Sequence, residues 1–283
     1  MPFTSLRAGD QEAVAGLLAA LASTRRLGVA FSGGVDSSVL LALAARALGP
    51  ERVIAVLGVS ASLAADERVA AHAVAASIGV DVVEVQTHEG DRAEYRRNDV
   101  DRCFHCKDEL FTRISQQVVV AHGLTAVAYG ENADDARRPD RPGSRAATMH
   151  AVLRPLADAG MDKAAVRRIA RALDLPSADK PAAPCLASRI PHHFEVTPEK
   201  LAQVEAAESE LRRLGLRDLR VRHHGDVARL EVPVEGIAAV ATPPLRDEVV
   251  RVVRAAGFRF VALDLMGVQS GAFTLALVGV RGV

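Results

Sequence analysis

The sequence predicts an α/β protein, a parallel sheet covered by helices and followed by a smaller α+β domain. Two observations carry this. Short apolar runs alternate with helix-spaced segments as far as residue 190, the pattern of a parallel sheet with crossover helices. Beyond it, a charge-alternating helix leads into short strands around a tight turn. At 283 residues and 49% hydrophobic content, the chain is long enough for two domains, expected at 1–190 and 191–283.

The elements come in order. Apolar groups at helical spacing from Ala13 to Leu21 predict a first helix, and the apolar run Leu27 to Phe31 a buried strand. Asp36 to Leu48 reads as helix, Val53 to Leu57 as strand, the Ala-rich Leu63 to Ile78 as helix and Val82 to Val85 as strand. Cys103 to His122 is expected to be helical and Ala126 to Tyr129 to be the fourth strand. Glu131 to Arg145, rich in Asp, Arg and Pro, reads as a loop at a strand C-terminus, where ligands bind in such sheets. Lys163 to Leu173 is one more helix, and Pro176, Pro181, Pro184 and Pro191 keep the segment after it from forming long regular structure.

In the second domain, Pro198 to Leu214 predicts a helix, and Leu219 to Val221 and Val227 to Val232 predict strands flanking His224-Gly225-Asp226. Val249 to Ala255, Phe258 to Leu263 and Ala272 to Val280 read as helix, strand and final strand. The last two apolar strands would serve the domain's core or an oligomer contact.

Charge and targeting signals narrow the function. Lys plus Arg and Asp plus Glu each total 35, and no long run of one sign suggests a grip on nucleic acid. The N-terminus lacks a secretory pattern and no apolar stretch approaches about 18 residues, so a soluble cytoplasmic protein is expected, with no membrane contact.

Ser32-Gly33-Gly34-Val35-Asp36-Ser37-Ser38 succeeds a strand and opens a helix. Glycines stand where backbone must approach a ligand, amides point toward it, and three serines add hydroxyls: an anion cradle. The loop lacks the Gly-Lys-Ser/Thr ending of a Walker A motif. Asp36 would hold Mg²⁺, since hard cations prefer carboxylate oxygen. The string resembles the SGGxDS signature of PP-loop ATP pyrophosphatases, which cleave ATP between its α and β phosphates. That resemblance implies adenylation of a substrate oxygen with loss of pyrophosphate.

The three cysteines, Cys103, Cys106 and Cys185, are too few and odd in number for a secreted disulfide framework. Cys103-Phe104-His105-Cys106 fits a redox dithiol, half a zinc site completed by Cys185 with His105 or His192, or two ligands of an iron–sulfur cluster. With Cys185, three thiolates would leave one iron of a four-iron cluster open to bind sulfide. The plain alternative is three small buried side chains, against which stand their Pro-, Arg- and His-rich surroundings. Arg189 beside Cys185 favours its thiolate.

The nucleotide loop, Glu131-Asn132-Ala133-Asp134-Asp135, Arg141-Pro142-Gly143, and Asp179-Lys180-Pro181 leading into Cys185-Leu186-Ala187-Ser188-Arg189 together resemble the LarE family in order and spacing, over nearly the whole chain. The resemblance implies an adenine nucleotide alpha hydrolase-like first domain and an ATP-dependent sulfur transferase. Its substrate is pyridinium-3,5-dicarboxylate mononucleotide, whose carboxylates are adenylated and converted to thiocarboxylates for the nickel-pincer cofactor.

One branch of that family consumes the cysteine that matches Cys185. Another holds a 4Fe-4S cluster on three cysteines and takes sulfide or another sulfur donor. Cys103 and Cys106 place this chain nearer the second branch. The resemblance further implies catalytic roles for Cys185, Asp36, Ser188 and Arg189, substrate contacts from Arg220, Arg222 and Glu208, and a homo-oligomer. Arg220 and Arg222 alternate along a strand and so share a face. The chain departs from the family at His150, expected acidic, at Arg154-Pro155-Leu156, and at Pro191-His192-His193-Phe194. Two rival functions share the nucleotide loop: a tRNA-thiolating enzyme, disfavoured by neutral charge and 4% aromatic content, and an amide-forming synthetase, which needs no cysteine.

Overall fold

A computed structural model describes residues 6–138 and 142–268. The chain forms two compact units: residues 1–60, 65–89 and 103–180 make the first, and residues 61–64, 90–102 and 181–283 the second. The second therefore includes three segments from within the span expected for the first domain.

The first unit is the expected α/β layer. Helix α1 (Ala8–Leu21) leads to β1 (Leu27–Ala30), α2 (Val35–Leu48), β2 (Val53–Val59), α3 (Ala65–Ile78) and β3 (Val82–Gln86). After α4 (Ala93–Arg96), a short helix that belongs to the second unit, the first unit resumes with α5 (Arg102–Arg113), β4 (Ala126–Tyr129), α6 (Ala133–Ala136), α7 (Pro142–Met149), α8 (Pro155–Asp158) and α9 (Lys163–Ala172). The sheet order is β3-β2-β1-β4, all parallel. Leu27 and Val29 of the central strand are wholly buried, as strands covered on both faces must be. Gly28 leaves room for Leu124, which a Cβ there would meet at 2.6 Å.

Two helical expectations change. The helix expected over Cys103 to His122 ends at Arg113 and continues as a π-helical stretch, Ile114–Val119. Its turn puts Ile114 and Val118 into a core with Phe111, Leu124 and Val152. The expected loop from Glu131 to Arg145 contains α6 and the start of α7. Asn132 caps α6 by accepting from the Asp135 amide at 3.0 Å, and Pro142 opens α7, where its missing N–H costs nothing. Arg141 lies outside the described residues.

In the second unit, α10 (Pro198–Arg213), capped by Thr197 and opened by Pro198, precedes β5 (Arg220–His224) and β6 (Val227–Glu231). Then come α11 (Ile237–Val240), α12 (Leu245–Ala255) and β7 (Phe260–Leu263). Strands β5 and β6 are antiparallel, and β7 joins β6 in parallel. β5 extends to His224, three residues beyond the expected end, so the turn is Gly225-Asp226, with Gly225 at φ 64°. The expected strand from Ala272 to Val280 lies outside the described residues. No helix among the described residues is long and apolar enough to cross a membrane.

Candidate active site

The loop 32–38 in the first unit is held by its own serines. Ser37 Oγ donates to the Gly34 carbonyl at 3.0 Å and Ser38 Oγ to the same oxygen at 2.9 Å. The Ser32 amide reaches Ser37 Oγ at 3.3 Å. These bonds turn side-chain hydroxyls inward, while the first amides of α2 have no carbonyl of their own helix to donate to. Gly33 sits at φ 68°, and a Cβ there would come 2.8 Å from the Ala71 Cα. Gly130, just past β4, is equally constrained: its Cβ would lie 2.6 Å from the Ser37 amide nitrogen. Only glycine lets β4 end against the start of α2.

Asp36, in the first turn of α2, is the meeting point of three segments. Its Oδ1 accepts from Asn132 Nδ2 at 3.1 Å and its Oδ2 from Lys163 Nζ at 2.5 Å. Asn132 also donates to Asp135 at 2.9 Å, and the Lys163 amide donates to Asp134 at 2.9 Å. The Glu131-to-Asp135 string thus ties the end of β4 to the start of α9. Asn132 and Lys163 are site residues to which sequence reasoning alone gives no role. Asn132 belongs to a string that resembles the family, but nothing local marks Lys163, which lies 127 residues from its partner.

The two family departures in this unit have partners. His150 pairs with Asp108 at 2.8 Å, and Arg154 reaches the buried Glu131 at 3.5 Å. Glu131 also accepts from Ser144 Oγ.

The second unit gathers Cys185, Ser188, Arg189, Glu208, Arg220 and Arg222. Cys185 is exposed and caps a short 3-10 turn, Leu186–Arg189. Its carbonyl accepts from the Ser188 amide at 2.9 Å, from Ser188 Oγ at 2.7 Å and from Arg189 Nη1 at 3.4 Å. Arg189, 5% exposed, donates twice to Glu208, at 2.8 and 3.1 Å. Glu208 is wholly buried and accepts further bonds from Arg212 at 2.7 Å and the Val221 amide at 3.0 Å.

Arg222 is likewise engaged, with both arms on Glu231 at 2.9 and 2.7 Å and Nη1 on the Ser188 carbonyl at 2.9 Å. Arg220 differs. Its Nη2 donates to the Ala182 carbonyl at 3.0 Å, while its Nη1 is buried without a hydrogen-bond partner. Burial, with Arg189 and Arg222 nearby, holds this guanidinium below its ordinary pKa.

Cys103 and Cys106 lie on α5, one turn apart and so on one helical face. Cys103 is exposed, Cys106 half-buried, and none of the three cysteines forms a disulfide. A CxxC pair on one helical face is compatible alike with a redox dithiol, half a zinc site or two ligands of an iron–sulfur cluster. Among the described residues, no group of three His, Cys, Asp or Glu side chains is gathered to hold a metal ion. For Mg²⁺ the chemistry fits Asp36, whose oxygens keep lone pairs beyond those given to Asn132 and Lys163.

A four-stranded parallel sheet whose central strand ends in this serine-glycine loop, with a carboxylate and a lysine converging on it, defines a PP-loop ATP-using enzyme. The asparagine synthase family model matches residues 11–230. The chain is 42% identical over 243 residues to an uncharacterized protein of Synechocystis sp., covering 86% of this chain and 90% of that one. It is 34% identical over 255 residues to the pyridinium-3,5-bisthiocarboxylic acid mononucleotide synthase of Lactiplantibacillus plantarum, covering 90% and 91%. The chain belongs to the LarE family, the ATP-dependent sulfur transferases of the PP-loop superfamily.

Proposed function

We propose that this enzyme uses ATP to adenylate a carboxylate of pyridinium-3,5-dicarboxylate mononucleotide, releases pyrophosphate and inserts sulfur to give a thiocarboxylate for the nickel-pincer cofactor. The observation that carries the first half is the convergence of Lys163 and Asn132 on Asp36 at loop 32–38. Pyrophosphate oxygens would be met by the loop's amides and by Lys163, and Asp36 would hold Mg²⁺. A substrate carboxylate oxygen attacks the α-phosphorus, the bond to the β-phosphate oxygen breaks, and an acyl-adenylate forms. A sulfur nucleophile then attacks the acyl carbon and AMP departs with its oxygen.

The second unit supplies the substrate end. Arg220 carries a buried cation with an unused donor, so an anionic phosphate or carboxylate would satisfy both charge and hydrogen bond. Arg222 and Glu208 are proposed to frame that site, Arg222 through Glu231 and Glu208 by orienting Arg189. Ser188 and Arg189 would set the position of Cys185. Cys103, Cys106 and Cys185 would hold a four-iron, four-sulfur cluster, which when bound supplies an open iron for an external sulfide donor. The enzyme is proposed to act in the cytoplasm as a homo-oligomer.

The test is turnover with ATP, sulfide and the dicarboxylate mononucleotide. Pyrophosphate, AMP and thiocarboxylate should form together, and pyrophosphate release should fall on the order of a hundredfold in Asp36→Asn. Activity with ammonia in place of sulfide, or with tRNA in place of the dicarboxylate mononucleotide, would overturn the reading. After anaerobic reconstitution, about four irons lost on each Cys→Ser change would support the cluster. No iron, with a mass loss of roughly 34 Da after reaction, would instead mark Cys185 as consumed.

A further inference from the structure

The segment that carries Cys185 has little regular structure of its own, yet Leu186, Ala187 and Ile190 are buried. Buried backbone carbonyls outside helix and sheet must find donors elsewhere. Here the donors come largely from two side chains outside the candidate site, Asn98 and Arg102. Asn98 is wholly buried and sits at φ 57°, a left-handed conformation that Asn tolerates better than most residues. Its amide Nδ2 serves three carbonyls, Ile190 at 3.2 Å, Pro191 at 2.7 Å and Phe194 at 3.0 Å. Its own carbonyl accepts from the His193 amide at 3.1 Å.

Arg102, one helical turn on, completes the arrangement. Its Nη1 donates to Asn98 Oδ1 at 2.5 Å and to the Ala187 carbonyl at 2.9 Å. Additional backbone contacts run alongside: the Leu186 amide to the Ser62 carbonyl at 3.0 Å, and the Val196 amide to the Arg96 carbonyl at 2.9 Å. A strained, buried residue that serves four backbone groups of one loop is over-determined by that loop, and such strain collects where position matters for function.

We propose that Asn98 and Arg102 are positioning residues for the sulfur-transfer step. They clamp residues 187–194 and so hold the turn that begins at Cys185. The inference rests on the reading of Cys185 as a participant in sulfur transfer, and its test separates the two.

The experiment compares the full-length parent with Asn98→Gly, which keeps the positive φ without strain and removes only the amide, and with Arg102→Gln and Arg102→Lys. Hydrogen exchange should quicken roughly tenfold or more at amides 186–196 in Asn98→Gly and Arg102→Gln, with β1 and β2 unchanged. Thiocarboxylate formed per pyrophosphate released should fall roughly tenfold, while KM for ATP stays within about twofold, and Arg102→Lys should recover part of the loss. A purely structural role would lower both products together. Unchanged exchange, or faster exchange with an unchanged product ratio, overturns the clamp. A Cys185→Ser chain that keeps the parent's yield of thiocarboxylate per pyrophosphate would instead refute the role of Cys185, and the exchange comparison would then decide the clamp alone.

Discussion

Lys163 and Glu208 show how differently one side chain acts at the surface and in the interior. Lys163 is partly solvent-exposed, at 41%, so its ion pair with Asp36 adds little to stability. Its proposed value is electrostatic, toward bound phosphates. Lys163→Ala should therefore leave the melting temperature nearly unchanged but raise KM for ATP and lower kcat, roughly tenfold in kcat/KM, read by pyrophosphate release. Glu208 is the opposite case, since its wholly buried carboxylate holds Arg189, Arg212 and the Val221 amide. Glu208→Ala should cost about 3–5 kcal/mol in chemical denaturation, because Arg189 is left buried and unpaired.

Between elements, contacts set both tolerance and pH response. Gly130→Ala forces a Cβ against the Ser37 amide nitrogen, where strand end and helix start cannot both yield. A loss of about 1–3 kcal/mol is expected, together with weaker ATP binding. Gly16, exposed in the interior of α1 with nothing within 4 Å of a Cβ, gives the contrary result: Gly16→Ala should stabilise by about 0.5–1 kcal/mol.

Glu84 of β3 joins α3 through Arg68 and His72 at 2.5 and 2.8 Å. Hydrogen bonds from Arg68, then His72, hold its carboxyl at about 2, below its ordinary 4.5. The folded state thus binds a proton later than the unfolded one. The stabilisation is full above about pH 4.5 and disappears as pH falls through about 2. Melting curves for Glu84→Gln should lose less stability than the parent across that interval.

For the whole molecule, ligand linkage gives the broadest check. ATP with Mg²⁺ at a hundred times its Kd should stabilise the parent by about 2.7 kcal/mol, and Asp36→Asn should lose most of that gain. Much of the fold is readable along the chain. Strands β1 to β4, helix α2 and loop 32–38 result from apolar periodicity and from a glycine-serine turn, signals that each span only a short stretch of sequence. The cysteine spacing of Cys103 and Cys106, and the shared face of Arg220 and Arg222, are equally local. Helices α6 and α7 are hidden because their polar composition resembles a loop, and their starts depend on a cap at Asn132 and on Pro142.

The pairing of Lys163 with Asp36, across 127 residues, and of Asn98 with Ile190, across 92, carries no local mark. Neither does the assembly of residues 61–64 and 90–102 with 181–283. Local sequence dictates the period of a helix or strand and the chemistry of a turn, because those interactions span a few residues. Which distant donors reach a carboxylate or an unpaired carbonyl depends on where parallel crossovers deliver the chain, and only the folded arrangement contains that information.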